Sequence, residues 1–156
     1  MARENSFSVL EAKALLHLGL HELRRGRLDP AREVLEQARE VAASGGHDRV
    51  HSRVQVSLGI SHEGGADFEA AEECYQQALT IARRIGDHWE EVRTRSKMGT
   101  LCSFMEGRQH EARGHFEWAL DQSRTVGDWF IEAGSAYNLG RLEMNLGHND
   151  AAEEHL

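Results

Sequence analysis

Three stretches of this chain repeat one apolar spacing: an alanine, a large side chain four residues on, and a second alanine three beyond that. They are Ala31, Leu35 and Ala38; Ala71, Tyr75 and Ala78; and Ala112, Phe116 and Ala119. Steps of four and three place each set on one face of an α-helix. A second set of positions precedes them in register, pairing an apolar residue with glycine: Leu18-Gly19, Leu58-Gly59, Met98-Gly99 and Leu139-Gly140. The glycines are 40, 40 and 41 residues apart, and an alanine follows twelve residues after three of them, at Ala31, Ala71 and Ala152. In the third unit it follows thirteen after, at Ala112, so that turn holds one extra residue. A glycine inside a helix costs about 1 kcal/mol relative to alanine. A cost repeated in register needs a packing cause, and close approach of a partner helix is the simplest, small residue meeting small residue where the helices cross.

Between the glycine-bearing and alanine-bearing segments lie turn sequences: Arg25-Gly26-Arg27-Leu28-Asp29, Gly64-Gly65-Ala66-Asp67, Glu106-Gly107-Arg108 and Leu146-Gly147-His148-Asn149-Asp150. Glycine can take the left-handed conformation that ends a helix, and Asp29 and Asp67 can N-cap the next. Pro30 is expected at the first helical position, where its missing N–H costs nothing. Gly86-Asp87 and Gly127-Asp128 repeat the same stop-and-cap chemistry 41 residues apart. The spacing predicts helices near 7–24, 30–43, 48–63, 67–84, 88–105, 109–125 and 129–145, with an eighth beginning near 149. The repeats fall at about 7–46, 47–86, 87–127 and a truncated 128–156, forming one domain over 1–156. One hairpin cannot bury its own apolar faces, so neighbouring units must stack.

Composition narrows the function classes. A single proline and few β-branched residues favour helix over sheet. A net charge of -8 with dispersed basic residues speaks against nucleic acid as a partner. Cys74 and Cys102 make no CxxC and no disulfide framework, which fits a reducing compartment. No signal sequence opens the chain and no apolar run reaches the length of a membrane span, so a cytoplasmic protein without membrane partners is expected.

The recurring glycine, alanine and large apolar residues resemble the tetratricopeptide repeat (TPR) family from about Leu10 onward. The long period is similar to that of kinesin light chains, spindle-orientation adaptors and arrays inside bacterial signalling proteins. The aromatic residue usual three places after the glycine is replaced by Glu22, His62, Cys102 and Glu143. The resemblance implies an all-α fold, an α-solenoid forming a right-handed superhelix of about three and a half stacked hairpins. It also implies a protein-interaction scaffold without catalytic residues or cofactor, whose groove is lined by the first helix of each pair. The groove positions that follow are Lys13, His17, Leu20, Arg53, Ser57, Arg93, Lys97, Thr100, Asn138 and Arg141.

Lys13, Arg53 and Arg93 put a cation at the same phase of three successive units. On a concave wall such a row would focus positive potential and grip an acidic or C-terminal carboxylate-bearing peptide. The competing account pairs these cations internally, with Glu22, Glu63 or Glu91. The clamp known from chaperone-binding relatives is incomplete, since His17 and Ser57 stand where that clamp has asparagines. A different class of function is a self-associating regulatory segment of a larger signalling or transcription-regulatory protein. The last unit shows no polar cap, so the chain reads as a fragment, or as one whose open end pairs with a second copy.

A metal-dependent enzyme is a distant third reading. The pairs His17/His21 and His47/His51 have helical i,i+4 spacing, but neither fits HExxH and neither has a third ligand at a fixed offset, so no metal site is assigned. Cys74 and Cys102 read as small apolar fillers. Gly64-Gly65 reads as a turn and not a phosphate loop. Trp89, Trp118 and Trp129, with Phe130, read as packing between repeats.

Overall fold

The computed structural model describes the backbone of residues 2–153 and the side chains of residues 7–147. Among these residues there are seven helices and no strand: α1 (Ala2–Arg24), α2 (Leu28–Ser44), α3 (Asp48–Gly64), α4 (Phe68–Ile85), α5 (His88–Phe104), α6 (Gln109–Val126) and α7 (Trp129–Glu153). The chain divides into two compact units, Met1–Thr94 and Arg95–Leu156.

In the first unit, α1 pairs with α2 and α3 with α4, and α3 also packs on both helices of the first hairpin. Its core gathers Ala12, Leu16, Ala31, Leu35, Ala38, Ala42, Val50, Val54 and Leu58. Helix α3 has neighbours on several sides, so every residue from Val54 to Gly59 is buried. A helix so enclosed must be apolar, small or hydrogen-bonded all round, as Gln55 is through its amide to Gln77 Oε1 at 2.6 Å. Its serines meet that demand by bonding to carbonyl oxygens: Ser52 Oγ donates to Ala78 O at 3.0 Å and Ser61 Oγ to Leu28 O at 3.2 Å. In the second unit, α6 packs on α7, and Cys102, Ala112, Phe116 and Leu142 form a small core. Ser96 and Ser135 hydroxyls meet at 3.1 Å, and Arg113 grips Glu143 at 2.6 Å.

The mid-helix glycines are sockets for the large residue of the returning helix. A Cβ on Gly19 would fall 2.5 Å from Leu35 Cγ, one on Gly59 would strike the Tyr75 ring, and one on Gly99 would fall 2.7 Å from Phe116 Cε1. The expected contact of glycine with alanine is thus replaced by glycine with leucine or an aromatic. A returning side chain of that size needs the space of a missing Cβ to let the helices close. At Gly140 the same position meets nothing within 4 Å among the described residues.

Helix α7 runs unbroken to Glu153, so the expected turn at 146–150 and an eighth helix near 149 are not found. Gly147 alone costs a helix about 1 kcal/mol. A cost of that size does not end a helix on its own. The groups expected at 154–156 lie outside the described residues.

Turn chemistry follows the sequence closely with two exceptions. Asp67 caps α4 by accepting from Ala70 N at 3.3 Å, Asp87 accepts from Glu90 N at 3.1 Å, and Asp128 accepts from Ile131 N at 3.0 Å. Asp29 does not cap: α2 starts two residues earlier, behind Arg27, which leaves Asp29 in the first turn against Arg32 at 3.1 Å and makes Pro30 the third helical residue. Proline is still tolerated there, because first-turn N–H groups have no intrahelical acceptor.

The second exception is at the left-handed position before each second helix. Gly26 (φ 72°) and Gly107 (φ 77°) occupy it in the first and third units, whereas in the second it falls on Ala66 (φ 61°) and not on Gly64 or Gly65. An L-residue pays about 1–2 kcal/mol in this conformation. Ala66→Gly is therefore expected to stabilise the protein by about 1 kcal/mol, less the extra entropy glycine gives the unfolded chain, read as a rise in urea midpoint at constant slope.

Candidate functional site

The cationic positions Lys13, Arg53 and Arg93 all lie in the first unit. Lys13 and His17 are exposed on α1, whereas Leu20 is half-buried against the core. Arg53 is half-buried on α3, and Ser57 one turn on is buried, its hydroxyl donating to Arg53 O at 2.9 Å. Arg93 is half-buried on α5 and donates to Glu90 Oε1 at 3.0 Å, with its guanidinium 5.2 Å from the centre of the Trp89 ring.

Glu90 is the residue that sequence reasoning missed. Its side chain is 2% exposed, and both Arg93 and Arg53 act on it electrostatically. Each of the three acids expected to compete for the basic row has a partner outside it: Glu22 meets Arg27 at 2.6 Å, Glu63 the Tyr75 hydroxyl at 2.7 Å, and Glu91 Arg83 at 2.9 Å. Internal pairing does occur for Arg93, with the acid three residues before it. Both guanidiniums act on the Glu90 carboxyl, and the Nε of Arg53 and of Arg93 is buried without a hydrogen-bond partner.

Burial holds the Glu90 carboxyl above the ordinary carboxylate range, and the two arginines only partly offset this. The folded state therefore keeps the Glu90 proton to higher pH than the unfolded chain does. This contribution makes stability fall as pH rises from the ordinary carboxylate value through the raised one, and then level off. Glu90→Gln holds the neutral form, so its stability relative to wild type should improve as pH rises from about 4 to 7. Urea midpoints of both proteins across that range test this, and a pH-independent difference would contradict it.

In the second unit, Lys97 and Thr100 are half-buried on α5, and the Thr100 hydroxyl donates to Ser96 O at 3.2 Å. Asn138 and Arg141 line a cleft of about 290 Å³ between α5 and α7, together with Ser103, Phe104, Leu142 and Asn145. The repeat phase marks Asn138 and Arg141, but not the Asn145 amide beside them.

Cys74 is half-buried against the core, and burial pushes its thiol up to about 11. Trp118 lies under the Arg95 guanidinium, 4.1 Å from its ring centre. Trp129 and Phe130 are not packing residues: they are 76% and 74% exposed, meeting each other edge to face at 6.1 Å. They open α7.

The profile of the tetratricopeptide repeat family matches residues 10–84 and 52–125, the two matches overlapping by one hairpin. The chain belongs to that family. Its TPR hairpins are similar to solved structures at low identity, which speaks to the fold alone. A kinesin light chain candidate from Podosopora anserina, with nearly identical TPR-like repeats, shares 17% identity at a TM-score of 0.66, covering 92% of this chain and 70% of that one. A point-substituted form of that same protein gives 18% identity and a TM-score of 0.68 over the same shares. BtubC (BKLC) from P. vanneervenii shares 17% identity at a TM-score of 0.59, and this chain covers 66% of its length with 90% of its own. No curated protein matches the chain. None of the described helices is long and apolar enough to cross a membrane.

Proposed function

We propose that this TPR chain is a protein-interaction scaffold that holds an acidic or carboxylate-bearing peptide against the face carrying Lys13, Arg53 and Arg93. The observation that carries this reading is the imbalance around Glu90: two arginines from different helices act on one buried carboxyl, each with an unsatisfied buried Nε. A peptide carboxylate at the partly exposed edge of these guanidiniums would balance that charge through charge-assisted bonds, which are stronger than a neutral hydrogen bond. The exposed Lys13 adds charge at the rim, which speeds encounter more than it tightens the complex. The Asn138/Arg141 cleft of the second unit offers the same amide-and-guanidinium chemistry by itself.

The test is fluorescence anisotropy with a labelled Glu/Asp-rich peptide at low salt, against the Arg53→Gln/Arg93→Gln protein and, since those changes touch a buried pair, the exposed Lys13→Glu variant. Affinity should fall at least tenfold in the double variant and more modestly in the lysine one. Glu90→Gln should bind more tightly, because the internal competitor is gone. Equal affinities across all four proteins would sink the proposal.

One observation favours a second reading, the self-associating regulatory segment. Tyr137 and Met144 are 69% and 61% exposed along the same helix as the 74% exposed Phe130. Light scattering that shows concentration-dependent assembly, abolished by Tyr137→Asp, would support it over the peptide reading.

A further inference from the structure

The second unit holds a cluster with no part in peptide binding. Cys102 of α5 and Glu111 and His115 of α6 bring a thiol sulfur, a carboxylate oxygen and an imidazole nitrogen within 4.8 Å of one another. The sequence hides this set: eight residues separate Cys102 from Glu111, a spacing with no helical meaning, and only the turn at Glu106-Gly107-Arg108 folds them together. Glu111 and His115 are i,i+4 neighbours on one face of α6, with Cys102 presented by the preceding helix. Cys102 is buried and His115 half-buried, so two of the three groups are held by packing, while Glu111 sits at the solvent edge.

Sulfur, imidazole and carboxylate are the ligand types of zinc-class ions, whose bonds of about 2.0–2.3 Å place the ligand atoms roughly 3.5 Å apart. Side-chain rotation of about 1 Å would close the present cluster to that size. The place of the ion's charge is taken by Arg108, whose guanidinium grips Glu111 through Nη2 at 2.6 Å and Nε at 2.7 Å. That same arginine reaches Met105 Sδ at 3.2 Å, so it can swing onto the thioether side when the carboxylate is drawn away.

We propose that Cys102, Glu111 and His115 form a three-ligand site for a zinc-class divalent cation, with water in the fourth position and Arg108 as the internal cation that the metal displaces. On binding, the Cys102 S–H bond breaks, its proton passes to solvent and the sulfur lone pair goes to the metal, with no change of oxidation state. The metal would staple α5 to α6 in the second unit.

Cobalt(II) titration of the full chain tests this through its colour. The expected result is one equivalent bound, with a near-ultraviolet sulfur-to-cobalt band and visible bands of tetrahedral intensity, all bleached by added zinc. Cys102→Ser should remove the near-ultraviolet band. His115→Gln, at a half-buried position that keeps the fold, should weaken binding at least tenfold, and Arg108→Gln should tighten it several-fold. Cobalt bound without a sulfur band would point to the His17/His21 or His47/His51 pairs and overturn the site. A sulfur band that survives Cys102→Ser would assign it to Cys74 and overturn the site as well.

Discussion

Tyr75→Ala is expected to destabilise the protein by about 3–5 kcal/mol, the range for emptying a buried aromatic site. Tyr75 is fully buried on α4, with its ring against the backbone of α3 at Gly59. Its hydroxyl donates to Glu63 Oε2 at 2.7 Å, so the ring is anchored at its far end as well as along its face. Burial and the neighbouring carboxylate push the phenol above its ordinary range, which favours the protonated, donating form. Removing the side chain opens a cavity between the two helices of the second hairpin, and α3 cannot collapse into it without leaving α1 and α2, on which it also packs. Tyr75→Phe separates the two contributions: it keeps the ring and loses only the bond to a charged acceptor, expected at about 1.5 kcal/mol. Denaturant melts of the three proteins give both numbers, and a Tyr75→Ala cost below that of Tyr75→Phe would mean the socket is not what holds the hairpin.

The hairpin architecture was legible because each repeat writes its fold twice, once in glycine and once in the large residue that fills the glycine's space. Leu35, Tyr75 and Phe116 occupy equivalent places although their shapes differ, and the helix ends near Gly86-Asp87 and Gly127-Asp128 follow from local backbone chemistry alone. Features that depend on partners distant in sequence, or on a choice between similar neighbours, were not legible. Arg93 could have reached either of two adjacent glutamates, and the helix phase that turns Glu90 inward and leaves Glu91 to Arg83 is set by packing. Ala66 takes a conformation suited to glycine because the turn's register is fixed by the flanking helices, not by the Gly64-Gly65 pair beside it. At 146–150 the local sequence permits both a turn and a helix, and α7 continues through it. The basic row was visible as a phase, but its buried counter-charge was not.

Equivalent glycines should answer the same substitution with opposite signs. At Gly59, a new Cβ meets ring carbons of Tyr75, a side chain fully buried and tied at its hydroxyl, so the ring cannot step aside. Overpacking of this kind costs about 1–3 kcal/mol, and the gain of about 1 kcal/mol in helix propensity offsets only part of it. Gly59→Ala should therefore be destabilising on balance. At Gly140 a Cβ meets nothing within 4 Å among the described residues, so Gly140→Ala should show the propensity gain, about 1 kcal/mol of stabilisation. The contrast isolates packing from backbone preference, because both residues lie inside helices and hold the same place in the repeat. Coupling tests the cause directly: in a Tyr75→Val background the collision is gone, so Gly59→Ala should lose most of its cost, and the double-mutant cycle should give an interaction of at least about 1 kcal/mol. Additive effects would show that Gly59 is glycine for some reason other than the ring across from it, and the socket would then no longer explain why the repeat keeps a glycine at this position.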